Sequence, residues 1–589
     1  MPVDTIFYNG NILTGKDLLT DRPERVSAVA IEHGLVMYAG SDAAAMELCD
    51  TVGEKIDLHG AFMMPAFNDA HTHIAFAGQQ RLTVDLDNVP SLTAMQAKVK
   101  AYAAGLAAGQ WITGGGWDHT KWASGTLPSA KDLDAVSGGH PAYLERTDGH
   151  IAVLNSAALK AVGITAETKS PEGGAIDLDP VTHQPTGIVR DAALALVRPV
   201  IPRPDAAMRR KALALSFQDA LAHGVASVQD FSDWDDFLVM EQMEKDGQLP
   251  VRVSEWLTFN DPVEVLKEHR AHHAADDPML HTGMLKGFMD GSLGSRTAAM
   301  MAPYSDDAKN SGLARYEQGK LDAMTVERSP TTFAPQLTND GFQIGFHAIG
   351  DRANTMALDA LEAGEKNYLK EGADDTAYGL SVCPPGKTDC VLDATPLSPQ
   401  SPRNRIEHAQ VLAPGDFERF RRLGVIASMQ PSHLLTDMAW AGDRLGPERS
   451  KYAYAWRSML EHHVVLAFGT DYPVESVNPF RGLYAAVTRM NEAGTQTFHA
   501  EQKLTLGEAL FAYTQGSAFA QFDETRKGVL TPGYFADLVV LDRDITKASP
   551  QELLHTKVLR TVVGGVTRYV APAVPVAEVV HKSVEDGDR

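Results

Sequence analysis

The sequence predicts an α/β protein whose centre is an eight-stranded β/α barrel of the TIM type. It also predicts a small sheet domain built from both ends of the chain and a long insertion after the first barrel strand. Three observations support this: apolar runs alternate with helical stretches in the middle of the chain, β-rich segments open and close it, and polar residues follow the apolar runs. Alternating strands and helices are typical of a parallel sheet, and such barrels carry chemistry at the C-terminal ends of their strands.

The β-rich segments at the two ends resemble each other in pattern. TIFYNGNILTG, VSAVAIEHGLVMYAG and KIDLHGAFMMPAF alternate apolar and polar residues around Asn-Gly and His-Gly turns, a pattern typical of strands joined by tight turns. A similar alternation of apolar and polar residues occurs near the other end, in GVLTPGYFADLVVLDRD and VLRTVVGGVTRYVA. We therefore predict that residues 1–62 and 526–575 form one small sheet domain, followed by a tail at residues 576–589.

Eight apolar runs between these ends are the candidate barrel strands. Helical stretches such as RPDAAMRRKALALSFQDALAHG separate them, as expected of β/α units. We assign residues 63–525 to this barrel. In chain order the runs are MPAFNDAH, GVASVQD, VRVSEWLTF, MLKGFMDG, FQIGFHAIGD, NRIEHAQ, GVIASMQPSH and VVLAFGTDYP.

Two inserted segments interrupt the alternation of strands and helices in the barrel. Residues from about 78 to about 195 are too many for a loop and predict a subdomain that covers the barrel mouth. The proline-rich SVCPPGKTDCVLDATPLSPQSPR predicts an irregular surface loop. Its Cys383 and Cys390 have the spacing to close a small disulfide, although such a pair in the cytoplasm more often stays reduced.

Composition limits the partners of this chain. The 589 residues carry a formal net charge of −23 and a pI near 5.3, and no cluster of Lys and Arg that could bind phosphates is found, so we predict no nucleic-acid partner. No stretch approaches the roughly 18 apolar residues of a membrane span, and the first residues lack the pattern of a signal peptide. We predict a cytoplasmic protein with a small-molecule substrate and no membrane partner, compatible with a homodimer.

Two histidines follow the first candidate strand. His71 and His73 in NDAHTHIAFAG are two residues apart, so in an extended strand both rings point to the same side and could reach one metal ion. The alternative is two polar residues on the wet face of a strand, and the pair alone favours that interpretation.

Polar residues at other strand ends favour the metal-site interpretation of this pair. His347 in GFHAIGD, His408 in IEHAQ and Asp471 in GTDYP end the fifth, sixth and eighth candidate strands. Each histidine alone is more often a hydrogen-bonded structural residue. Together with the first pair they give four imidazoles and a carboxylate, enough for a divalent metal site with open coordination positions.

Lys286 in MLKGFMDGS ends the fourth candidate strand. One interpretation is a packed lysine whose ammonium pairs with Asp290. The other is a lysine of lowered pKa that has taken up carbon dioxide and bridges two metals as a carbamate. Spacing alone leaves both open.

The whole set of motifs resembles the amidohydrolase superfamily, and especially its branch of N-substituted formamide deformylases. The matching motifs, in order, are NGNILTG, MPAFNDAHTH, GGWDHTKW, DGHIAVLNSAAL, KGFMDGSLGSRTA, HAIGDRAN, RIEHAQ, FGTDYPV and GVLTPGYFADLVVLDRD, and they cover nearly the whole chain. The resemblance implies a distorted β/α barrel with a small β-sandwich assembled from both termini.

The resemblance also implies a centre of one or two divalent metal ions, with zinc as the predicted ion. In the family pattern, His71 and His73 resemble ligands of one metal, Lys286 a carbamylated bridge, His347 and His408 ligands of the second metal, and Asp471 a ligand and general acid/base.

This site predicts metal-dependent hydrolysis of a carbon–nitrogen bond outside peptides, in an amide, N-formyl or N-acyl compound. A divalent metal supplies hydroxide at neutral pH, and Asp471 can pass a proton to the leaving nitrogen. Hydrolysis of a cyclic amide, carbamate or ester on the same centre is the alternative, because fold and ligands do not separate these reactions. A barrel that serves only for binding or assembly is disfavoured because every motif residue is present.

A few more polar and aromatic residues are candidates for substrate contact. His150 in RTDGH and Arg296 in GSLGSRTA could bind a carbonyl or carboxylate, although a surface histidine and an ion-paired arginine are equally good interpretations. Trp117 and Trp122 could line an apolar pocket, although packing within the insertion is favoured. Glycines near the strand ends, among them Gly469, are predicted to allow tight backbone turns.

Overall fold

The structure is a computed structural model that describes residues 2–48, 51–330, 341–369 and 402–572. Cys383 and Cys390 lie outside the described residues, so their disulfide stays a prediction. Within the described ranges, no helix combines the length and the apolar character needed to cross a membrane.

Eight parallel strands form a nearly closed barrel, and each pairs with the next one along the chain. A parallel bridge between Thr72 and Tyr472 brings the last strand beside the first. All eight predicted strands are confirmed. In chain order they are Phe67–Thr72, Val225–Asp230, Arg252–Thr258, Leu280–Phe288, Ile344–Ala348, Arg405–His408, Ile426–Met429 and Leu466–Phe468.

Helices cover the outside of the barrel, and Ala206–Ala222 shows why they form where they do. The Asp205 side chain caps its first turn by accepting the N–H of Met208, which satisfies a backbone donor that has no partner within the helix. Leu213 and Phe217 are fully buried in the main apolar core. The helices around the barrel are Ile74–Leu82, Ala206–Ala222, Trp234–Lys245, Val263–His272, Gln318–Arg328, Asp351–Leu369, Asp416–Arg422, Pro431–Asp437, Ala441–Arg449, Trp456–Glu461, Pro479–Thr488, Leu506–Phe511 and Ser517–Ala520.

The two ends of the chain meet in one domain, as predicted. Val539 pairs with Met64 in an antiparallel register, and the N–H of Leu530 donates to the carbonyl of Thr14 at 2.7 Å. Its two sheets share one apolar core. One contains Pro2–Tyr8, Ala28–Glu32, Leu35–Gly40 and Thr51–Asp57, and the other contains Asn11–Leu13, Arg25–Val26, Phe62–Pro65, Leu538–Leu541, Val558–Val563 and Val566–Val570. The short helices Asp42–Glu47 and Pro550–Leu554 complete these terminal segments.

The insertion after the first barrel strand contains its own six-stranded sheet. Its two apolar cores are separate from that of the barrel, so it is a packed unit and not a loop. Its strands are Val84–Asp85, Ile112–Trp117, Ala142–Arg146, Ile151–Leu154, Gly174–Leu178 and Pro185–Asp191, and its helices are Leu92–Ala103, Ala130–Asp134 and Ser156–Val162.

Candidate metal centre

The barrel brings polar residues from its first, sixth and eighth strands together. His71, His408 and Asp471 each offer one ligand atom, and these three atoms lie within 4.8 Å of one another. Asp471 Oδ1 lies 3.5 Å from His71 Nε2 and 3.2 Å from His73 Nε2. His71, His408 and Asp471 are at most 5 % exposed, so this cluster has little water to compete for its lone pairs.

Backbone geometry at the strand ends aims two of these side chains. His408 and Asp471 both have positive φ, 73° and 59°, a region that costs a non-glycine residue about 1–3 kcal/mol and clusters at functional sites. Gly469 has no positive φ, but a Cβ there would lie 2.5 Å from the backbone nitrogen of His71. The predicted reason for this glycine, a tight turn, is therefore wrong: the position needs space for the first strand.

A buried carboxylate missed in the sequence holds the first histidine. Glu407 Oε2 accepts a hydrogen bond from His71 Nδ1 at 2.7 Å, and Glu407 is itself bound by Arg405 at 2.8 Å. Burial alone would raise the pKa of Glu407, but Arg405 and His71 hold it well below its usual range. Gln430 plays the same part for His408, whose Nδ1 lies 2.7 Å from Gln430 Oε1.

Lys286 points into this cluster and not toward Asp290. Its Nζ lies 3.1 Å from His71 Nε2, and burial lowers the pKa of its ammonium to about 8. Asp290 instead accepts backbone N–H groups of Ala299, Ile349 and Gly350. The interpretation of Lys286 as the ion-pair partner of Asp290 is therefore wrong.

His347 lies beside the cluster, with its ring centroid 4.5 Å from that of His408. Its Nε2 contacts the carbonyl of Gly291 at 3.0 Å, so in this rotamer only Nδ1 is free of a protein partner among the described residues. Burial, followed by the neighbouring His408, holds the pKa of His347 well below its usual value. The ring is therefore neutral, the form that binds metal.

His433 is a second residue that the sequence analysis missed. It follows the seventh strand on the helix Pro431–Asp437, and its Nε2 lies 3.4 Å from Asp471 Oδ2. Burial alone would raise the pKa of Asp471, but the facing imidazoles of His71, His433 and His73 hold it well below its usual range. The carboxylate therefore stays ionised at neutral pH. The signal for His433 was its place at the end of a predicted strand.

A cavity of about 960 Å³ opens between this cluster and the insertion. His150 lies in its wall, with its ring centroid 5.0 Å from that of His347. Asp191 Oδ1 fixes His150 by contacting Nδ1 at 2.8 Å and also accepts from Arg315 Nη2 at 2.7 Å. The insertion residues that line the cavity include Glu145, Arg146, Asp148, His150 and Asp191.

Two predicted substrate contacts do not face this cavity. Arg296 Nη2 is bound to Asp306 at 2.7 Å, and Arg296 is not among the lining residues. Trp117 is fully buried in a core of the insertion, where its indole N–H donates to the carbonyl of Leu144 at 2.9 Å. Arg296 is thus the ion-paired arginine that was the alternative interpretation, and Trp117 packs with Trp122, the interpretation that was favoured.

The donors of the cluster fit a divalent metal ion. Asp471 Oδ1 is buried and has no hydrogen-bond partner among the described residues, a costly state unless a cation or substrate satisfies it. Imidazole nitrogens and a carboxylate are donors that zinc prefers, while iron or manganese can use similar sets.

Comparison with known proteins agrees with the fold and with a metal-dependent hydrolase. The chain is 32% identical to the protein LONG AFTER FAR-RED 3 of Arabidopsis thaliana, over 96% of this chain and 91% of that protein. It is 24% identical to an N-substituted formamide deformylase of Arthrobacter pascens, over 96% and 98%. An uncharacterized metal-dependent hydrolase from Pyrococcus horikoshii OT3 is similar in structure, with a TM-score of 0.69 and 28% identity over 93% of this chain and 99% of that chain. Because the sequence model of the amidohydrolase family matches residues 54–569, the chain belongs to that family of metal-dependent hydrolases.

Proposed function

We propose that this protein hydrolyses a carbon–nitrogen bond of a small amide, N-formyl or N-acyl compound at a zinc centre. The observation that carries the proposal is the Asp471 carboxylate, which is buried, ionised and faced by His71, His73 and His433. A carboxylate in that position offers an ionised oxygen without a hydrogen-bond partner among the described residues, at the mouth of a barrel, where such enzymes keep their chemistry.

The proposed ligand set uses the strand-end residues of the barrel. A divalent metal bound here supplies Lewis acidity, which lowers the pKa of water from about 15.7 to about 7 and polarises a carbonyl group. Glu407 and Gln430 occupy Nδ1 of the first and sixth strand histidines, leaving Nε2 of each for the ion. The proposed ligands are His71, His73, His347, His408, Asp471 and a carbamylated Lys286.

The contact between Lys286 and His71 supports the proposal that Lys286 is carbamylated. An unmodified amine 3.1 Å from His71 Nε2 shares the lone pair that a metal would need. A pKa of about 8 leaves part of the amine neutral near neutral pH, and the neutral amine is the form that adds to carbon dioxide. Carbamylation would replace a competing cation with two oxygen ligands.

Asp471 is the proposed proton carrier. Its carboxylate takes a proton from the attacking water and returns it to the leaving nitrogen, since an amine anion is too poor a leaving group to depart unprotonated. His433 holds Oδ2 from the opposite side, which keeps Oδ1 directed toward the histidines. The insertion encloses the cavity and limits the water that reaches the reacting bond.

The test is a comparison of hydrolysis rates across N-formyl, N-acyl, cyclic-amide, carbamate and ester compounds. Metal-loaded protein should hydrolyse N-formyl or N-acyl amines, and chelation should abolish the rate. Turnover confined to esters or cyclic amides would favour the alternative chemistry. Metal binding without turnover of any compound would contradict an amidase and favour a binding role.

A further inference from the structure

A second group of metal-binding side chains lies at the opposite end of the barrel. Glu244 is near the end of the helix Trp234–Lys245, and His273 and Asp277 lie in the segment before the strand Leu280–Phe288. All three residues are partly buried, and their ligand atoms lie within 4.8 Å of one another. None of them lines the cavity of the candidate metal centre.

The distances in this group match those between ligands of one tetrahedral ion. His273 Nε2 lies 3.3 Å from Glu244 Oε2 and 3.8 Å from Asp277 Oδ2. Ligands about 2.0–2.1 Å from a tetrahedral zinc ion are about 3.3 Å from one another. Two of the three distances therefore suit a shared ion, and the third, between the carboxylate oxygens of Glu244 and Asp277, is below 4.8 Å.

His273 Nε2 is buried and has no hydrogen-bond partner among the described residues, although a carboxylate oxygen is 3.3 Å away. The carboxylate is near, but it is not placed to accept an N–H from this ring atom. An atom that is close to two acceptors and bonded to neither is in the position of a metal ligand.

Glu241 orients the same ring from the other side. Its Oε1 contacts His273 Nδ1 at 3.2 Å, and its Oε2 is bound by Lys245 Nζ at 2.8 Å. A histidine whose second nitrogen donates to a carboxylate is typical of metal sites, because that bond fixes the tautomer and leaves the other lone pair free. Glu241 thus positions His273 without being a ligand.

We infer that His273, Glu244 and Asp277 form a second divalent-metal site, selective for zinc or a similar transition ion. The ion would tie the helix Trp234–Lys245 to the segment that leads into the strand of Lys286. Its role would be structural, since none of the three proposed ligands lines the cavity.

Zinc content of the whole protein tests this inference independently of any substrate. Wild type and Glu244→Gln are stripped with chelator, equilibrated with Zn²⁺ and measured by elemental analysis. Glu244→Gln keeps the size of the side chain and should bind one equivalent fewer than wild type. Glu264→Gln, an equal change at a residue whose side chain is 87% exposed, should bind as much as wild type. Equal zinc content in all three proteins, or equal loss in both variants, overturns the site.

Thermal unfolding separates loss of the site from loss of the fold. In chelator, wild type and Glu244→Gln should unfold at the same temperature. Added Zn²⁺ should raise the unfolding temperature more in wild type, because an ion that binds only the folded state stabilises it. His273→Asn should behave like Glu244→Gln, and a zinc response identical to that of wild type in both variants would also overturn the site.

Discussion

Glu407 Oε2 lies 2.7 Å from Nδ1 of His71, and both side chains are fully buried. The carboxylate fixes the ring and its tautomer, because the Nδ1 hydrogen is donated to it and Nε2 is left as the lone pair that faces Asp471 and Lys286. Burial, followed by the charge of Lys286, lowers the pKa of His71 to about 4, so the ring is neutral and able to bind metal.

Glu407→Gln should weaken zinc binding about 10- to 100-fold, the usual effect of losing a carboxylate behind a metal-binding histidine. An amide can donate as readily as accept, so it no longer fixes the tautomer of His71, and it leaves the buried Arg405 without its ion-pair partner. Zinc titration against a competing chelator measures the change. The exposed Glu264→Gln serves as the control, and unchanged zinc affinity in Glu407→Gln would contradict the proposed role.

Lys286→Ala should lose both metal and activity if the lysine is a carbamate. Small carboxylates added at millimolar concentration should restore part of each, because they can occupy the space of the missing bridge. Lys286→Arg is the matched variant: it also lacks the carbamate but fills that space, so no rescue is expected. Metal content and hydrolysis rate are measured with and without the carboxylate.

The mass of the intact wild-type protein provides a separate readout for Lys286. A carbamate adds one carbon dioxide unit to the lysine, and the modification should be lost on acidification. Unmodified lysine in active, metal-loaded protein would reject the bridge and indicate a centre with a single ion.

Asp148 joins the insertion to the loop after the fourth barrel strand. It is bound by Arg146 at 2.6 Å and by the Ser295 hydroxyl at 2.8 Å, and Ser292 also donates to it. Burial alone would raise the pKa of Asp148, but Arg146, His150 and these hydroxyls hold it well below its usual range. A carboxylate with a lowered folded-state pKa stabilises the fold above its unfolded pKa of about 4, and this contribution is lost as the pH falls below it.

Asp148→Asn should therefore destabilise the protein by about 3–5 kcal/mol at pH 7, the cost of breaking a buried ion pair. The difference from wild type should narrow below about pH 4, where the wild-type carboxylate begins to lose its advantage. Denaturant unfolding at several pH values measures both effects. The exposed Asp443→Asn is the control, and a destabilisation that does not change with pH would contradict the ion-pair explanation.

The barrel could be predicted from sequence because each strand is a short apolar run that ends in a polar or turn residue. This pattern predicted the positions of His71, His408 and Asp471, since a polar side chain directly after a buried strand lies at the mouth of a parallel barrel. The meeting of the two ends in one domain was predictable as well, because both carry the same β-rich pattern, but Met64, which pairs with Val539, was assigned to the first barrel strand.

Contacts between side chains that are distant in sequence could not be predicted from the pattern of apolar and polar residues. Glu407 is adjacent to His408, but only the register of the barrel turns it toward His71, 336 residues away. Arg296 was predicted to contact substrate because it follows a strand, yet its carboxylate partner Asp306 lies in the same long loop. Which residue of a strand-end loop faces the cavity depends on the path of the loop, which hydrophobic periodicity does not encode.

Variants of His433 and Asp471 can distinguish an effect on metal binding from an effect on proton transfer. His433→Asn removes the contact to Asp471 Oδ2, 3.4 Å away, but leaves every proposed ligand in place. Zinc content should be retained, while kcat falls because the carboxylate loses one of the contacts that orient it. The decrease should be smaller than for loss of the carboxylate itself, and a variant without metal would show that His433 is a ligand.

Asp471→Asn should lower kcat for an amide at least about a hundredfold, because general acid/base groups typically contribute about 10²–10⁴ in rate. The substitution keeps the shape and one oxygen ligand while it removes the basic carboxylate that faces His71 and His73. Zinc content should fall little, since the other proposed ligands remain. The loss should be smaller for an activated ester of similar shape, whose leaving group departs without a proton. If Asp471→Asn retains more than about a tenth of the wild-type kcat on the amide, the proton carrier is another residue. His150, whose ring centroid lies 5.0 Å from that of His347, is the next to test.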